Sequence, residues 1–400
     1  MTGFRALWDR LAPIGREPDN GGYLRYAWSE AELGCRAWFR REAEARGLAV
    51  EADGNGNLYA WWGSPDAGDA VLTGSHFDSV PYGGGYDGPL GIVSGLLAVD
   101  VLNQRAVTPK RPIAVAAFTE EEGARFGVAC LGSRLLTGAY DPHRALALRD
   151  RDGITLAEAM AKAGADPDEV GPDPGRLGRF GAFVELHVEQ GRALVGLGTA
   201  VGVASVIWPH GRWRFDFTGE GNHAGTTRMA DRRDPTLTFA YTVLTANKEA
   251  RLRGAHATIG RFAGQPNATN AIPSMVRGWL DARAADGDTL DALVEAIRDS
   301  AVERADRDGT AVTMTAESTT GVVEFDGALR DAIAARLSAP ILPTGAGHDA
   351  GVLSAHVPTA MLFVRNPTGV SHAPAEHATD EDCAAGVAAL ADVLEDLACR

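Results

Sequence analysis

The sequence has few cysteines and no long apolar run. Its four cysteines, in a chain of 400 residues, form no C-x-x-C pair, so we expect reduced thiols, no disulfide framework and a cytoplasmic location. The most apolar stretch, "LGIVSGLLAVDVL" (residues 90–102), contains an aspartate and is too short to span a bilayer. The first residues lack the basic and apolar blocks of a signal peptide, and we expect none. The sequence therefore predicts no contact with a membrane.

Positive charge is also scarce. Lysine and arginine number 38 against 53 aspartates and glutamates, which gives a formal net charge of −15. Because nucleic-acid binding depends on clustered basic residues, we expect no nucleic-acid partner. A small anionic ligand needs only a local cation and stays compatible with this balance. Hydrophobic residues make up 45% of the chain, which is enough for a large core and for two domains.

Short apolar segments alternate with helical patterns along most of the chain. The segments "DAVLTGSH" and "RPIAVAAFTEEEG" flank the helical "LGIVSGLLAVDVLNQ", and "GAFVELHVEQG" repeats the strand pattern. This order predicts an α/β domain with a mixed, mainly parallel sheet flanked by helices. Each apolar segment ends in polar residues, so we expect ligands at the carboxyl ends of the strands.

The pattern changes between residues 210 and 322. Segments such as "RWRFDFTG", "HATIGRFAG" and "AVTMTAEST" are typical of strands, and two long helical patterns lie among them. The order β-α-β-β-α-β is the split-βαβ arrangement of ferredoxin-like domains. We therefore predict an inserted domain over residues 210–322 and a larger domain built from residues 1–209 and 323–400.

Five strand-end segments carry residue types that bind metals. They are His76, Asp87, the run Glu120–Glu122, His187 and His372. In a parallel sheet these ends share one edge, where imidazole and carboxylate donors can converge on a divalent ion. Zn²⁺ is the first choice, with Mn²⁺, Co²⁺ and Ni²⁺ as alternatives. Five ligands are too many for one tetrahedral site and suit two metal ions that share Asp87, whose backbone gains freedom from the surrounding glycines.

The adjacent glutamates suggest a general base. In "TEEEG", one glutamate can ligate a metal while its neighbour stays free to take a proton from water. Asp78, two residues after His76, can hold the second ring nitrogen of that histidine. We also expect His348, in "GAGHDA", to support the site from nearby.

Six segments together resemble those of a known family. They are "GSHFDSVPYGGGYDGPLG", "FTEEEGARFG", "ELHVEQG", "NHAGTT", "GAGHDA" and "SHAPAEHAT". In this order and at these separations they are similar to segments of the N-carbamoyl-L-amino-acid hydrolase and allantoate amidohydrolase family, a branch of the dinuclear-zinc aminoacylase and carboxypeptidase superfamily. The resemblance extends from the first helix to "TDED". It implies a zinc-peptidase-like catalytic domain and an inserted lid domain that also mediates dimerisation.

The resemblance also assigns the metal site residue by residue. It implies two divalent metal ions that share Asp87 as a bridge, with Glu121 as the general base. The remaining ligands are His76 and His187 on one metal, and Glu122 and His372 on the other. A cis peptide bond after Asp87 is implied as well.

Other positions are assigned by resemblance to substrate binding. His223 matches the lid histidine that polarises the scissile carbonyl. Asn270 and Arg283 match groups that hold the substrate carboxylate, and Arg283 has the planar, permanently charged fork that suits this task. The resemblance implies a homodimer whose lids lend residues across the interface. The same pocket is implied to contain Gln190, Gly369 and Ser371.

Two positions depart from the family pattern. Arg192 and Arg228 stand where the family commonly has proline, after "EQG" and "HAGTT". Two extra cations near the pocket would favour a second acidic group on the substrate. The alternative is that both face solvent.

The expected reaction is hydrolysis of the ureido C–N bond of a small carboxylate such as an N-carbamoyl-L-amino acid, with release of ammonia and carbon dioxide. Allantoate is the first alternative substrate. An aminoacylase or dipeptidase on the same metals is the second, although "GGGYDG" and "HAGTT" favour the ureido branch. A non-catalytic binding protein with this fold would be marked by loss of Glu121 or of a metal ligand, and the full set is present.

Overall fold

The structure, a computed structural model, describes residues 2–400. The backbone divides into two compact units. The larger unit comprises Met1–Val206 and Glu324–Arg400, and the smaller unit comprises Ile207–Val323. The sequence predicted an inserted domain over residues 210–322, and its function as a lid and dimerisation domain stays a prediction.

The strands and helices within residues 2–400 follow one another along the chain in the order of their numbers. The strands are β1 Ala49–Ala52, β2 Leu58–Trp62, β3 Ala70–His76, β4 Ile113–Phe118, β5 Phe180–Val188, β6 Val201–Ile207, β7 His210–Thr218, β8 Asn222–His223, β9 His256–Gln265, β10 Ala271–Ile272, β11 Met275–Arg283, β12 Ala311–Thr320, β13 Val323–Glu324, β14 Ile341–Thr344 and β15 Thr359–Val364. The helices are α1 Thr2–Leu11, α2 Glu30–Glu44, α3 Pro89–Gln104, α4 Leu131–Thr137, α5 Pro142–Leu146, α6 Leu156–Lys162, α7 Pro174–Leu177, α8 Ala193–Leu197, α9 Pro235–Arg253, α10 Gly287–Asp308, α11 Gly327–Leu337, α12 Asp349–Leu353 and α13 Asp380–Ala398.

The larger unit is built on a mixed sheet in the order β1-β2-β4-β3-β5-β15-β6-β13, with β14 beside β6. The four central strands, β4, β3, β5 and β15, run parallel to one another, whereas β2 and β6 pair antiparallel to their flanks. Every residue of β3, β4 and β15 is buried, as expected for parallel strands covered on both faces. The predicted fold class, a mainly parallel sheet flanked by helices, is confirmed.

The parallel strands bring the predicted ligands to one edge of the sheet. His76 is the last residue of β3 and lies opposite Phe118, the last residue of β4. His187 is the penultimate residue of β5 and lies opposite Phe363 of β15. Because parallel strands end at a common edge, the segments that follow β3, β4, β5 and β15 meet there.

The smaller unit contains a four-stranded antiparallel sheet in the order β12-β7-β11-β9. Alternate residues of β7 and β11 are buried, among them Trp213, Phe215 and Phe217, and they form a core with residues of α9 and α10. Its elements follow the order β-α-β-β-α-β when the short β8 and β10 are set aside. Strand β9 lies at one edge of the sheet and, among the described residues, pairs with β11 alone.

Two further features bear on the predicted location. Within residues 2–400 no helix has both the length and the apolar composition needed to cross a membrane. All four cysteines are free thiols. A cytoplasmic location stays a prediction.

Candidate metal centre

Asp87 lies in the loop between β3 and α3, where its two carboxylate oxygens face two different sets of side chains. Oδ1 is 3.1 Å from Nε2 of His187 and 3.6 Å from Nε2 of His76. Oδ2 is 3.4 Å from Nε2 of His372, which in turn lies 3.5 Å from a carboxylate oxygen of Glu122. The structure therefore places the five predicted ligands in two three-residue groups that share Asp87, and in each group the ligand atoms lie within 4.8 Å of one another.

The chemistry of the buried imidazoles fits a metal. Nδ1 of His76 is 3.0 Å from the backbone carbonyl of Asp78, and Nδ1 of His187 is 2.9 Å from that of Val188. A carbonyl can only accept, so Nδ1 of each ring carries the proton and Nε2 keeps its lone pair. Both Nε2 atoms are buried and have no hydrogen-bond partner within residues 2–400. This is the tautomer that a metal-ligating histidine requires.

Asp78 supports the site differently from the prediction. Its backbone carbonyl, rather than its carboxylate, holds Nδ1 of His76, and the carboxylate oxygen lies 3.6 Å from that nitrogen. The carboxylate instead accepts hydrogen bonds from the backbone N–H groups of Glu121 and Glu122, at 3.1 and 3.0 Å. Asp78 therefore fixes the position of the acidic segment after β4 relative to β3.

The glycines around Asp87 make room for its neighbours. A Cβ atom on Gly88, which has φ of 82°, would lie 2.5 Å from the His76 ring. A Cβ atom on Gly84 would lie 2.3 Å from the carboxylate of Glu376. That carboxylate accepts hydrogen bonds from the backbone N–H groups of Tyr86 and Asp87, both at 2.9 Å. Glu376 was not singled out by the sequence, although it lies in the "SHAPAEHAT" segment.

The predicted cis peptide bond after Asp87 is wrong. Within residues 2–400 the one cis bond joins Gln265 and Pro266. The positive φ of Gly88 turns the chain into α3 without a cis bond at this position.

The three consecutive glutamates have different surroundings. Glu122 belongs to one ligand group, whereas Glu121 belongs to neither. One carboxylate oxygen of Glu121 lies 3.7 Å from Nε2 of His76, and the other accepts a hydrogen bond from the Cys130 thiol at 3.5 Å. Glu120 points elsewhere, since it accepts hydrogen bonds from two backbone N–H groups five and six residues ahead. Among the three glutamates, Glu121 is therefore the buried carboxylate that lies next to the ligand groups without belonging to either.

A second layer of buried groups lies behind His187. The His348 ring centroid is 4.5 Å from that of His187, so the predicted supporting histidine is in contact with the site. Glu185, two residues before His187 on β5, accepts hydrogen bonds from Ser75 at 2.7 Å and from the backbone of Ala350 at 2.9 Å. Sequence reasoning missed Glu185, although an acidic residue inside an apolar strand is an available signal.

Part of the predicted substrate pocket also meets Asp87. The side-chain amide of Gln190 donates to Oδ2 at 2.7 Å, and the Ser371 hydroxyl donates to the same oxygen at 3.1 Å. Gly369, two residues before Ser371, lies against the side chain of Arg192. These residues belong to the larger unit and are brought together by the fold.

The predicted substrate residues of the smaller unit lie at two separate ends. His223 is exposed on β8, which pairs with β10, and the backbone carbonyl of Asn270 accepts a hydrogen bond from Ala224 at 3.0 Å. Arg283 is at the far end of β11 and pairs with Asp281 at 2.8 Å. Eight residue steps along β11 correspond to about 27 Å. Within this unit, His223 and Asn270 are therefore neighbours and Arg283 is remote from both.

Burial raises the pKa of most carboxyl groups around the site. Burial first, and then the charge of Asp87, raise the pKa of Glu122 and of Glu376 to about 7. Burial, reinforced by other acidic neighbours, raises the pKa of Glu120 and of Asp349 to about 8. For Asp87 burial is outweighed by the adjacent imidazoles, which hold its pKa well below its usual range. So many buried carboxyl groups around the two ligand groups favour positive charge there, which either protons or metal ions can supply.

The chain is similar to several known hydrolases. The family model described as peptidase family M20/M25/M40 matches residues 72–396. An N-carbamoyl-L-amino acid amidohydrolase of Geobacillus stearothermophilus is 38% identical, over 98% of this chain and 98% of that protein. The allantoate amidohydrolase of Escherichia coli K12 is 32% identical, over 100% and 99% of the two chains. The crystal structure of a hydantoinase/carbamoylase family amidase from Burkholderia vietnamiensis has a TM-score of 0.90 at 32% identity, over 99% and 98%.

The raised carboxyl pKa values give a pH-dependent stability. In protein treated with a chelator, Tm should fall as the pH rises from about 6 to about 8.5, and added Zn²⁺ should reduce the fall. Glu120, Glu122, Asp349 and Glu376 titrate at their ordinary values when unfolded, and near 7 or 8 when folded. The stability that their protonation provides is fully present below the pKa values of the unfolded chain. It is lost as the pH rises through the pKa values of the folded protein. Thermal unfolding with and without metal measures this, and an identical pH dependence in both samples would contradict it.

Proposed function

The chain belongs to peptidase family M20/M25/M40 and is an amidohydrolase of the carbamoylase and allantoate amidohydrolase group, and from that premise we propose that it hydrolyses the ureido C–N bond of N-carbamoyl-L-amino acids. The products are the free amino acid, ammonia and carbon dioxide. One observation carries the proposal. Two ligand groups share Asp87, and Glu121 stands beside them as a buried carboxylate outside both groups.

Allantoate is the second candidate substrate. It carries ureido groups and a carboxylate, so the same machinery suits it, and the chain is also similar to the allantoate amidohydrolase of E. coli. We place N-carbamoyl-L-amino acids first because the similarity to the Geobacillus enzyme is greater.

We propose that the two ligand groups hold two divalent metal ions. His76 and His187 would hold one, Glu122 and His372 the other, and Asp87 would bridge them. Imidazole and carboxylate donors suit Zn²⁺ first, with Mn²⁺, Co²⁺ or Ni²⁺ as alternatives. When bound, such ions lower the pKa of water and polarise a carbonyl group.

Glu121 is the proposed general base. Its carboxylate takes the proton from the water that attacks the carbamoyl carbon, and later returns this proton to the departing nitrogen. Asp78 fixes the backbone of this segment, and the Cys130 thiol holds one carboxylate oxygen of Glu121. The other oxygen is thereby directed to the side of His76, where the ligand groups lie.

Further residues would hold the substrate in this proposal. Gln190 and Ser371 lie next to Asp87. Together with the Gly369 backbone they suit the polar atoms beyond the ureido group. Arg283 would bind the substrate carboxylate in place of its present partner, Asp281. His223 would donate a hydrogen bond to the scissile carbonyl oxygen as charge develops there.

We propose a homodimer formed through the smaller unit. One face of α9 exposes Leu237, Tyr241, Leu244 and Leu252, with Leu244 and Leu252 70% and 68% exposed. The adjacent β9 is an edge strand, and its Phe262, 5.5 Å from Phe239 of α9 between ring centroids, is 66% exposed. A second copy that added its own β9 antiparallel to this edge would cover the strand and the apolar face together.

The separation of the two ends of β11 suggests that each active site takes residues from two copies of the chain. His223 and Asn270 lie near Thr218 and Met275 in the chain, which pair at one end of β11, whereas Arg283 is at the other end, about 27 Å away along the strand. This length exceeds that of a small substrate, so we infer that one copy of the unit does not apply all three residues to one substrate. The resemblance implies lids that lend residues across the dimer interface, and we therefore propose that His223 and Asn270 act in the site of the partner.

Replacement of Glu121 tests the proposed base. Glu121→Gln should lower kcat toward an N-carbamoyl-L-amino acid by about a hundredfold to ten-thousandfold and leave the bound metal unchanged. Glu120→Gln is the matched control and should keep most of the activity, because its accepting oxygen faces backbone N–H groups away from the ligand groups. The measurements are ammonia release and metal analysis. Full turnover by the Glu121 variant would contradict the assignment.

Mixing two inactive variants tests the shared sites. Glu121→Gln and His223→Ala should each be nearly inactive as homodimers. In a heterodimer of the two variants, the chain with His223→Ala keeps Glu121, and the chain with Glu121→Gln supplies an intact His223 to that site. Activity should therefore return when subunits are exchanged. Ammonia release after co-refolding or co-expression measures this. Mixtures that form heterodimers and stay inactive would contradict donation of His223 between chains.

A further inference from the structure

Two chain segments run from the bridging carboxylate toward Arg192. Gln190 and Ser371 both donate to Oδ2 of Asp87, at 2.7 and 3.1 Å. Two residues beyond Gln190 is Arg192, and two residues before Ser371 is Gly369. These outer residues touch, because a Cβ atom on Gly369 would lie 2.0 Å from Cγ and 2.5 Å from Cδ of Arg192. The aliphatic part of Arg192 thus occupies the space that a side chain at position 369 would need.

The contact places Arg192 close in the chain to a residue that binds the bridging carboxylate. Two residues of extended chain span at most about 7 Å, so the Arg192 backbone lies within that reach of Gln190. By the proposed function, the ureido carbon of the substrate lies at the ligand groups around Asp87. The substituent on its α-carbon must then extend away from these groups, and the Gln190–Arg192 and Gly369–Ser371 segments lead from Asp87 to Arg192.

The guanidinium group of Arg192 is available for a ligand. Within residues 2–400 it forms no ion pair and no hydrogen bond to a side chain, and it is exposed. The nearest acidic residue in its own segment, Glu189, already accepts from the backbone N–H groups of Ala193 and Leu194 at 2.6 and 3.1 Å. Arg228, the other unusual cation, differs in this respect, because it forms a two-contact ion pair with Asp231 at 2.7 and 3.2 Å.

We propose that Arg192 is a specificity residue that binds a second carboxylate on the substrate, so that the enzyme prefers N-carbamoyl derivatives of acidic amino acids. The inference rests on the proposed function and adds the side-chain class. The planar fork of arginine suits a carboxylate through two parallel hydrogen bonds. Packing of its stem on Gly369 limits the freedom of the side chain, which lowers the entropy lost on binding.

The test compares two substrates of nearly equal shape, N-carbamoyl-L-glutamate and N-carbamoyl-L-glutamine. The metal-loaded enzyme should show a higher kcat/KM for the glutamate derivative, mainly through KM. Arg192→Gln should lower kcat/KM for that substrate by about tenfold or more and affect the glutamine derivative far less. Arg228→Gln is the matched control and should keep the wild-type ratio, because its charge is already neutralised by Asp231.

Each outcome decides a different claim. If the unmodified enzyme and Arg192→Gln show the same ratio of kcat/KM for the two substrates, the second-carboxylate role is overturned while the ureido function stands. If the metal-loaded enzyme hydrolyses another N-carbamoyl-L-amino acid but neither of these two, the inference fails and the proposed function stands. If it hydrolyses no N-carbamoyl-L-amino acid, the proposed function fails and the inference fails with it. A selective loss for the glutamate derivative in Arg192→Gln alone supports both.

Discussion

The bridging position of Asp87 is the constraint on which the rest of the site depends. Its carboxylate is buried. One oxygen lies beside the imidazoles of His76 and His187, and the other lies beside His372, which contacts Glu122. A buried carboxylate is costly unless positive charge or hydrogen-bond donors surround it. Here the hydrogen-bond donors are the side chains of Gln190 and Ser371, which come from distant segments, so the sheet, the loop and these segments must all be in place together.

The sheet supplies this assembly at little conformational cost. Parallel strands end at one edge, so His76, the acidic segment after β4 and His187 arrive together as soon as β3, β4 and β5 pair. The loop that carries Asp87 must then pass between them, and glycine is required where a side chain would collide with His76 or with Glu376. The glycines of this loop are therefore needed because the side chains around Asp87 are closely packed.

Much of this was predictable, and the exceptions share a cause. Strand ends, the ligand types and the free glutamate follow from local pattern, because periodicity and spacing are properties of short segments. The support given by Glu376 was not predictable in the same way, since it reaches Asp87 across 289 residues of chain. The carboxylate of Asp78 was assigned to His76 by proximity in sequence, whereas the fold offers it two backbone donors from another strand end. Tertiary partners of this kind leave no local signal.

The central claim is that Asp87 bridges two metal ions. The most direct measurement is anomalous diffraction from crystals of the protein grown with Zn²⁺ or Mn²⁺. The account predicts two anomalous peaks per chain, one between His76, His187 and Asp87 and the other between Asp87, Glu122 and His372. A single peak at full occupancy, or peaks that do not contact Asp87, would contradict it.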